Sequence, residues 1–590
     1  MRHAEDATAQ VIVSLLKQHG VRQIVASPGN TCFTAVITLQ NDPFFTVYSC
    51  VDERAAAYMA CGMAASSREP VAIACTGATA SRNYPSGLTE AFYRKLPVIA
   101  ITYFNNSRAI GQMLPQCIDR TQIQNDIALK SVDVPIVRTK QDREYATRIV
   151  NDALLETQRH GGGPVHINVS TDYGNIEFSD GAIEQARVIR RYSYEDKFPE
   201  IGPNERIAVF IGAHLKFDER TYAALERFAK THNVVVLYDH TSNYQGEYGV
   251  LSTLVADNHI PDQVPSPELE PSLVIDLGEV SGDYPTTGFL AGCGARVWRV
   301  APDGEIRDRF HALTDVFECS EAFFFERYAH EERQTKHELL DAWRREDEHI
   351  RKQMPELPLS NRWISQQVSK SIPAGSVVHF AILNSLRSWN YWSYDKSVLG
   401  FSNTGGFGID GAISTALGSA LALPDKMHVL CVGDLAFFYD MNTLGCREMA
   451  PNIRILLVNN GVGVEFHMGY SPASVIEDQV DDFVAAGGHF ASKKPGVSAA
   501  QAWAEVMGLG YMKANTKAEV LERIPEFLNP DVNKPVVFEC FTAVEGEKAA
   551  ADMLRELGPM PSAKKQAKDF VKRAIPKEAF EAMKYLKNRA

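Results

Sequence analysis

Two apolar segments in the last third of the sequence end in side chains suited to metal binding. One segment leads into Asp434, and the next leads into Asn460, 26 positions later. The carboxyl ends of neighbouring parallel strands meet at one edge of a sheet, so a single strand–helix–strand crossover would bring the two side chains together. Carboxylate and amide oxygens are ligands that Mg²⁺ accepts together with phosphate oxygens. Because both residues are also common in turns, the pattern alone leaves open a metal site and two ordinary turns.

A second candidate is Glu53, which lies just before a segment rich in alanine and glycine. The composition predicts a helix that begins at this glutamate and packs closely against a neighbouring helix. A carboxylate in the first turn stabilises the helix N-terminus electrostatically. Where its surroundings shift its pKa, the same carboxylate exchanges a proton with a cofactor instead. Spacing alone does not decide between these two roles.

The segment from Gly406 to Gly411 matches the G-x-G-x-x-G pattern of dinucleotide-binding loops. That pattern indicates a dinucleotide only where a strand precedes it and a helix follows it. We expect a helix after Gly411 but no strand before Gly406, so the fit to a dinucleotide site is poor. The glycines still indicate that the backbone approaches another group closely.

The elements that would position these residues form three consecutive α/β blocks. A chain of 590 residues exceeds the size of a single hydrophobic core. Apolar runs alternate with helix-like segments, which is typical of doubly wound parallel sheets. We predict strands within the runs RQIVA, PVAIAC, LPVIAITYF and GPVHINVS; RIAVFIG, NVVVLY, LVIDLG and ARVWRV; and SVVHFAI, KMHVLCVG, IRILLVN and PVVFECF. We place the domains at 1–190, 200–345 and 355–545, with a basic helical tail at 546–590.

Composition limits the classes of function. The chain has 60 basic and 73 acidic residues and a net charge of −13, which disfavours nucleic acid as the main partner. Ten cysteines are scattered without a C-x-x-C pair, so we expect neither a zinc site nor a disulfide framework. No apolar run is long enough to span a membrane. The N-terminus predicts an amphipathic helix instead of a signal peptide. These features favour a cytoplasmic protein that acts on small molecules.

The ordered set of segments SPGN, VDERAAAYMACGMA, NYQGEYG, FGIDG, GDLAFFYDMNTL and VNNGVG resembles the thiamine diphosphate (ThDP)-dependent enzymes. The resemblance spans roughly residues 5 to 545. The three blocks then correspond to the pyrimidine-binding, middle and diphosphate-binding domains of that family. Within it, the sequence is most similar to the menaquinone-pathway synthases that join 2-oxoglutarate to isochorismate.

The resemblance implies roles for individual residues. Glu53 matches the glutamate that hydrogen-bonds N1′ of the aminopyrimidine, and Gln116 matches a glutamine that faces the reacting centre. Asp434, Asn460 and the main-chain carbonyl of Val462 match the ligands of Mg²⁺. The remaining positions that match cofactor-binding residues are Gly408, Ile409, Gly433, Leu435 and Ala436, and a family serine is replaced by Ala436.

The departures from the family pattern concern substrate binding. The menaquinone-pathway synthases hold their carboxylate-rich substrates with arginines and a lysine, and the matching arginine positions here are Thr31, Asn105, Trp389 and Thr404. Each lost cation leaves a carboxylate without a charge-assisted hydrogen bond worth about 1.5 to 3 kcal/mol. We therefore expect a substrate other than that of the menaquinone-pathway synthases.

A different set of polar residues is expected to line the substrate pocket. Glu465 and His467 lie two positions apart and would point the same way on an extended segment, where either could relay a proton or could lie at the rim. Arg387 is either a carboxylate anchor or an exposed arginine. The other candidate substrate residues are Asn30, Asn384 and Ser385.

The resemblance implies a ThDP- and Mg²⁺-dependent transferase or lyase that decarboxylates a 2-oxo acid and passes the acyl-anion equivalent to an electrophilic acceptor. A decarboxylase that does not ligate is an alternative, and a ThDP-binding scaffold without turnover is an alternative of another class. In the family two subunits share each site, so we expect a homodimer or homotetramer.

Overall fold

In the computed structural model the described residues are 1–105, 107–172, 176–259, 266–329 and 336–558. They divide into two compact units, one of Met1–Lys197 with Gly304–Glu318, and one of Phe198–Asp303 with the chain from Cys319 onward. Most of the predicted tail, from residue 559, lies outside the described residues. The three-domain boundaries stay a prediction.

The first unit is built on a six-stranded parallel sheet of order β3-β2-β4-β5-β7-β6. Its elements are β1 (Arg2–Ala4), α1 (Ala7–Gln18), β2 (Gln23–Ala26), α2 (Phe33–Asn41), β3 (Thr46–Ser49), α3 (Glu53–Ser67), β4 (Val71–Cys75), α4 (Thr79–Arg82), α5 (Pro85–Tyr93), β5 (Val98–Asn105), β6 (Lys130–Val134), α6 (Lys140–Glu156), β7 (Val165–Thr171), β8 (Phe178–Asp180) and β9 (Arg190–Tyr192). The short strands β1 and β8 pair antiparallel. The predicted amphipathic N-terminal helix is confirmed as α1.

Both faces of this sheet are buried, which explains the continuous apolar runs of its inner strands. Successive residues of a strand belong to different cores: Ala72 of β4 and Ile99 of β5 pack in one cluster, whereas the residues that follow them, Ile73 and Ala100, pack in the other. Side chains of a strand alternate between its two faces, so each cluster covers one face. The expected doubly wound α/β arrangement is confirmed here.

The second unit contains two further parallel sheets. The first has the order β12-β11-β10-β13-β14. Its elements, together with β15 of the first unit, are β10 (Arg206–Ile211), α7 (Glu219–Thr231), β11 (Asn233–Tyr238), β12 (Gly249–Leu251), α8 (Thr253–Asn258), β13 (Leu273–Leu277), α9 (Tyr284–Gly292), β14 (Arg296–Val300), β15 (Leu313–Phe317) and α10 (Glu321–Tyr328). In the first unit, β15 pairs with β9 in parallel.

The last sheet has the order β17-β16-β18-β19-β21-β20, also all parallel. Its elements are α11 (Glu338–Lys352), α12 (Asn361–Ser369), β16 (Val377–Phe380), α13 (Asn384–Trp389), β17 (Leu399–Ser402), α14 (Ala412–Ala422), β18 (His428–Gly433), α15 (Asp434–Asp440), β19 (Ile453–Asn459), α16 (Val480–Phe483), α17 (Ala499–Val506), β20 (Gly510–Ala514), α18 (Lys517–Phe527), β21 (Val536–Phe541) and α19 (Val544–Arg555). All ten cysteines are free thiols, as expected. None of the described helices is both long enough and apolar enough to cross a membrane.

Candidate active site

Asp434 and Asn460 follow two adjacent strands and lie close together, as the sequence predicts. Asp434 is the first residue of α15, directly after β18, and Asn460 comes directly after β19. One carboxylate oxygen of Asp434 accepts hydrogen bonds from the backbone amides of Asn460 (2.9 Å) and Gly461 (2.6 Å). The other accepts from the amide of Leu435 at 2.7 Å. The crossover therefore fixes the carboxylate at the carboxyl edge of the sheet.

The oxygen atoms at this edge fit a divalent cation. Asp434 is only 5% exposed, and no cationic side chain of the described residues forms an ion pair with it. Burial raises its pKa to about 6, although the hydrogen bonds from the backbone amides lower it. The side-chain oxygen of Asn460 accepts from the amide of Val462, at 3.2 Å. A carboxylate and an amide oxygen are hard ligands of the kind that Mg²⁺ prefers. The carbonyl of Val462, the third predicted ligand, accepts a hydrogen bond from the amide of Val464 at 2.9 Å.

A cavity of about 480 Å³ adjoins Asp434. Its lining includes Leu435 and Gly461 together with Lys494 and Lys513. Two ammonium groups beside a glycine-containing turn suit an anionic ligand such as a diphosphate.

The glycine segment before α14 departs from expectation. The strand β17 ends four residues before Gly406, so the expectation that no strand precedes the segment was wrong. This strand has half-buried residues in place of a continuous apolar run, which explains why the pattern did not reveal it. A Cβ on Gly408 would lie 2.4 Å from a carboxylate oxygen of Asp410, so a larger residue requires this side chain to move. Ile409 is half-buried against the core of the last sheet.

Three further predicted cofactor residues surround the start of α15. Gly433 is both the last residue of β18 and the N-cap of the helix. Leu435 is half-buried at the cavity wall, and Ala436 is buried. All three therefore lie within two residues of Asp434.

Glu53 is the first residue of α3, as predicted, and belongs to the first unit. The helix begins there because the side chain of Asp52 accepts a hydrogen bond from the amide of Ala55 at 3.1 Å. One Glu53 oxygen accepts from Asn83 Nδ2 at 2.9 Å. The expected close packing is also confirmed, since a Cβ on Gly87 of α5 would lie 2.5 Å from the Cβ of Ala57.

Asn30 and Gln116 also lie in the first unit, and both are exposed. Gln116 has a φ of 61°, a conformation that non-glycine residues adopt infrequently. Neither side chain forms a hydrogen bond or ion pair with another described residue. Their assignment to the substrate pocket stays a prediction.

In the second unit, α13 carries Asn384, Ser385 and Arg387. Arg387 is only 9% exposed, which excludes the alternative of an exposed arginine. Its guanidinium donates a hydrogen bond to Glu465, and the second oxygen of Glu465 accepts from the hydroxyl of Tyr470 at 3.0 Å. The structure therefore brings two of the predicted pocket residues together as an ion pair.

The segment that contains Glu465 and His467 is a 3₁₀ helix, Val464–His467. The expectation of an extended segment was therefore wrong, because the chain turns within a few residues of the end of β19. His467 is buried, and its Nε2 donates to a carboxylate oxygen of Asp481 at 2.7 Å. The two side chains thus have different partners, and their proposed proton-relay roles stay untested.

Sequence reasoning missed a second group of residues near Arg387. Arg362, Tyr391, Tyr470 and Arg555 line a cavity of about 360 Å³ together with Arg387. They come from separate segments of the last 230 positions and share no motif or periodicity. The only available signal was the presence of an arginine next to the apolar residues of α12.

Comparison with known proteins agrees with this geometry. Residues 6–124 match a family model described as the thiamine pyrophosphate enzyme, N-terminal TPP binding domain. A 2-succinyl-5-enolpyruvyl-6-hydroxy-3-cyclohexene-1-carboxylate synthase of Bacteroides fragilis is 31% identical over 556 residues, covering 90% of this chain and 95% of the relative. The chain belongs to this synthase family. The synthases so named of Phocaeicola vulgatus (31% over 565 residues; 92% and 96% covered) and Bacteroides thetaiotaomicron (29% over 544; 90% and 95%) are also similar.

Four positions that we expect to correspond to substrate-binding arginines of this family carry uncharged residues here. Thr31, Trp389 and Thr404 are buried, and Asn105 is the last residue of β5. Thr31 donates to the carbonyl of Tyr103 at 2.8 Å. Its hydroxyl therefore already has a partner within the protein.

Proposed function

We propose that this member of the synthase family is a ThDP- and Mg²⁺-dependent enzyme. It removes CO₂ from a 2-oxo acid and transfers the remaining acyl-anion equivalent to an electrophilic acceptor. The buried carboxylate of Asp434, which accepts from the backbone amides of Asn460 and Gly461, is the observation that carries the proposal. The matched cofactor-binding domain and the name of the relatives, which describes synthesis of a succinyl-substituted cyclohexene carboxylate, support the cofactor and the ligation step.

The residues of the edge have distinct proposed tasks in holding the cofactor. Asp434, Asn460 and the carbonyl of Val462 would bind Mg²⁺, and the metal would neutralise the diphosphate. Backbone groups of Gly408, Gly433, Leu435 and Ala436 would face the cofactor, with the apolar side chain of Ile409 against it. When bound, ThDP supplies a thiazolium that acts as the electron sink for loss of CO₂.

Glu53 is the proposed catalytic carboxylate. It would share a proton with N1′ of the aminopyrimidine. Its hydrogen bond from Asn83 fixes one oxygen and leaves the other for that contact. Gln116, Glu465 and His467 are proposed to face the reacting centre, and Asn30, Asn384, Ser385 and Arg387 to contact substrate.

We further propose a cytoplasmic homodimer or homotetramer with sites shared between subunits, acting on small molecules and not on nucleic acid or membranes. Exposed apolar side chains near Glu53 support a subunit interface. They are Val51 (78% exposed), Tyr58 (47%) and Met59 (41%). Sedimentation equilibrium tests this proposal, and an active monomer would contradict it.

Product analysis tests the ligation step. The enzyme is incubated with ThDP, Mg²⁺ and a panel of 2-oxo acids, with and without an added electrophilic acceptor. Decarboxylation without ligation releases an aldehyde. A carboligase instead forms a new C–C bond to the acceptor, so the yield of the aldehyde falls. An aldehyde yield unaffected by every acceptor favours the non-ligating decarboxylase. Tight ThDP binding without CO₂ release would favour the scaffold.

A further inference from the structure

A small cavity in the first unit is lined by two arginines, Arg82 and Arg120, together with Tyr84 and His166. Its volume is about 20 Å³, which is enough for one particle of the size of a water molecule and too small for a substrate or a cofactor. The described residues that line it include no aspartate and no glutamate. The charged groups of the lining are therefore all cations.

Arg120 is buried without a hydrogen-bond partner. It is 3% exposed, and none of its three guanidinium nitrogens forms a hydrogen bond within the described part of the chain. The guanidinium carbon lies 4.8 Å from the ring centre of Phe104, a contact that replaces only part of the lost hydration. A buried charge is costly unless it is paired and hydrogen-bonded. The N–H donors of Arg120 therefore lack an acceptor.

Arg82, the last residue of α4, adds a second positive charge. Its Nη2 donates to the main-chain carbonyl of Asp119 at 2.9 Å, and it forms no ion pair with a described residue. The carboxylate of Asp119 acts on Arg82 electrostatically, but it is exposed, and one of its oxygens accepts from the amide and the hydroxyl of Thr121. Water screens such an exposed pair strongly. The charge of Arg82 is therefore only weakly compensated.

The acidic groups near Arg120 do not neutralise it. Asp133 acts on it electrostatically, but Asp133 is exposed and accepts from Asn168 Nδ2 at 2.6 Å, and the two form no ion pair. Burial raises the pKa of the Cys75 thiol to about 12, so this neighbour is uncharged at neutral pH. Burial, with Arg82 acting in the same direction, lowers the pKa of Arg120 only to about 10, so the guanidinium keeps its charge.

The two other polar groups of the lining are neutral. The ring nitrogens of His166 lie 2.7 Å from Thr102 Oγ1 and 2.8 Å from Ser131 Oγ, and burial with the two nearby arginines lowers its pKa to about 3. The buried hydroxyl of Tyr84 has no oxygen or nitrogen partner among the described residues, and its neighbour, the thiol of Cys75, is a weak acceptor. This hydroxyl is therefore a further donor without a strong acceptor.

We propose that the cavity binds one small monovalent anion, a halide such as chloride, between Arg120 and Arg82. A charged acceptor compensates for the buried guanidinium, which a water molecule does not, and the volume excludes polyatomic anions such as sulfate. The anion joins the segment of Arg120 to α4. The residue that follows α4 is Asn83, which donates to Glu53, so the site supports the surroundings of that carboxylate without taking part in the proposed chemistry.

Thermal unfolding of the full-length protein tests the site without turnover. Wild type is compared in sodium chloride and in sodium gluconate of equal ionic strength, because gluconate is too large for the cavity. Chloride should raise Tm by at least about 2 °C, since it binds the folded protein only. Arg120→Met should abolish this difference and Arg120→Lys should retain part of it. The exposed control Arg345→Met should retain all of it.

A second variant covers the case in which Arg120→Met does not fold. Arg82 is exposed, so Arg82→Met should fold and should need a roughly tenfold higher chloride concentration for the same rise in Tm, the loss expected of a charge-assisted hydrogen bond. The same chloride response in Arg82→Met and in wild type overturns the proposal. So does an equal response in wild type and in a folded Arg120→Met protein, or a wild type that does not respond to chloride.

Anomalous X-ray diffraction locates the anion. Crystals of wild type grown without chloride and soaked in sodium bromide should show a bromide peak within hydrogen-bonding distance of Arg120, and crystals of Arg120→Met should not. A cavity without such a peak in wild type, or with an equal peak in the variant, overturns the proposal. A bromide peak without the rise in Tm shows an adventitious ion only and overturns it as well.

Discussion

Arg387 and Glu465 form an ion pair that joins α13 to the 3₁₀ helix Val464–His467. Their side chains are 10% and 18% exposed, so water screens the pair weakly. The hydroxyl of Tyr470 donates to the same carboxylate. The pair therefore fixes one wall of the cavity that Arg362 also lines.

Removing both partners of this pair should cost less stability than the sum of the two single losses. Glu465→Gln or Arg387→Met leaves a largely buried charge uncompensated, which costs about 3 kcal/mol in the free energy of unfolding. The loss in the free energy of unfolding in the double variant should be smaller than the sum of the two single losses by at least about 1 kcal/mol. Urea denaturation of the four proteins measures the difference, and additive losses would contradict a direct interaction.

The proposed metal ligands Asp434 and Asn460 should be required for cofactor binding. Asp434→Ala or Asn460→Ala removes a hard oxygen ligand, and we expect ThDP affinity in the presence of Mg²⁺ to fall at least roughly tenfold. Fluorescence titration with ThDP, with and without Mg²⁺, measures this. Asp425→Asn, an exposed carboxylate of the same sheet region, is the matched control. Unchanged Mg²⁺-dependent affinity in both edge variants would exclude the proposed ligand set.

His467 provides a test of proton relay. Its Nε2 donates a hydrogen bond to Asp481. A relay role requires the ring to gain and lose a proton during turnover, whereas a structural role requires only the hydrogen bond. If His467 relays a proton, His467→Gln should lower kcat by about 100-fold and remove one limb of the pH–rate profile. If kcat and the profile stay unchanged, the relay role is excluded. Asp481→Asn should reproduce a weaker form of the same effect.

His240 should make stability depend on pH. Its Nε2 lies 2.9 Å from the carbonyl oxygen of Trp392, its ring stacks on Tyr394, and burial lowers its pKa to about 4. The unfolded chain binds a proton near pH 6.5, whereas the folded chain does not until about pH 4. Stability due to His240 is therefore present above pH 6.5 and falls between pH 6.5 and 4, by at most about 1.4 kcal/mol per pH unit.

Urea unfolding of wild type and His240→Gln at pH 7.5, 6.0 and 5.0 isolates this effect. Glutamine retains an N–H donor for the carbonyl but does not titrate. The stability difference between the two proteins should therefore shrink as the pH falls. A difference that stays constant over this range would contradict a neutral, buried histidine.

The sequence predicted the inner strands and missed the edge strands. In inner strands such as β4 and β10, nearly every residue is buried, so they appear as continuous apolar runs. In β3, three of the four residues are exposed, and in β6 and β20 exposed, half-buried and buried residues are mixed, because an edge strand has a neighbour on one side only. That loss of apolar character also hid β17 before the glycine segment.

The sequence predicted the site residues that lie at the ends of strands and helices. It did not predict the contacts between residues that are far apart in the sequence. Asp434, Asn460 and Glu53 lie next to element boundaries that the sequence pattern marks. Arg387 and Glu465 are 78 positions apart, and nothing in either segment indicates the other as its partner. Arg362 and Asn384 likewise meet only because the fold packs α12 on α13.

ThDP-dependent decarboxylation by this protein should require Glu53. Its most direct test is CO₂ release from pyruvate, 2-oxoglutarate, phosphonopyruvate and longer aliphatic 2-oxo acids, with ThDP and Mg²⁺. The proteins compared are wild type, Glu53→Gln and the exposed control Glu69→Gln. The account predicts release from at least one acid by wild type and Glu69→Gln, and a loss of at least about 100-fold in Glu53→Gln. Equal rates in Glu53→Gln and wild type, or no release from any acid by a ThDP-bound wild type, would contradict it.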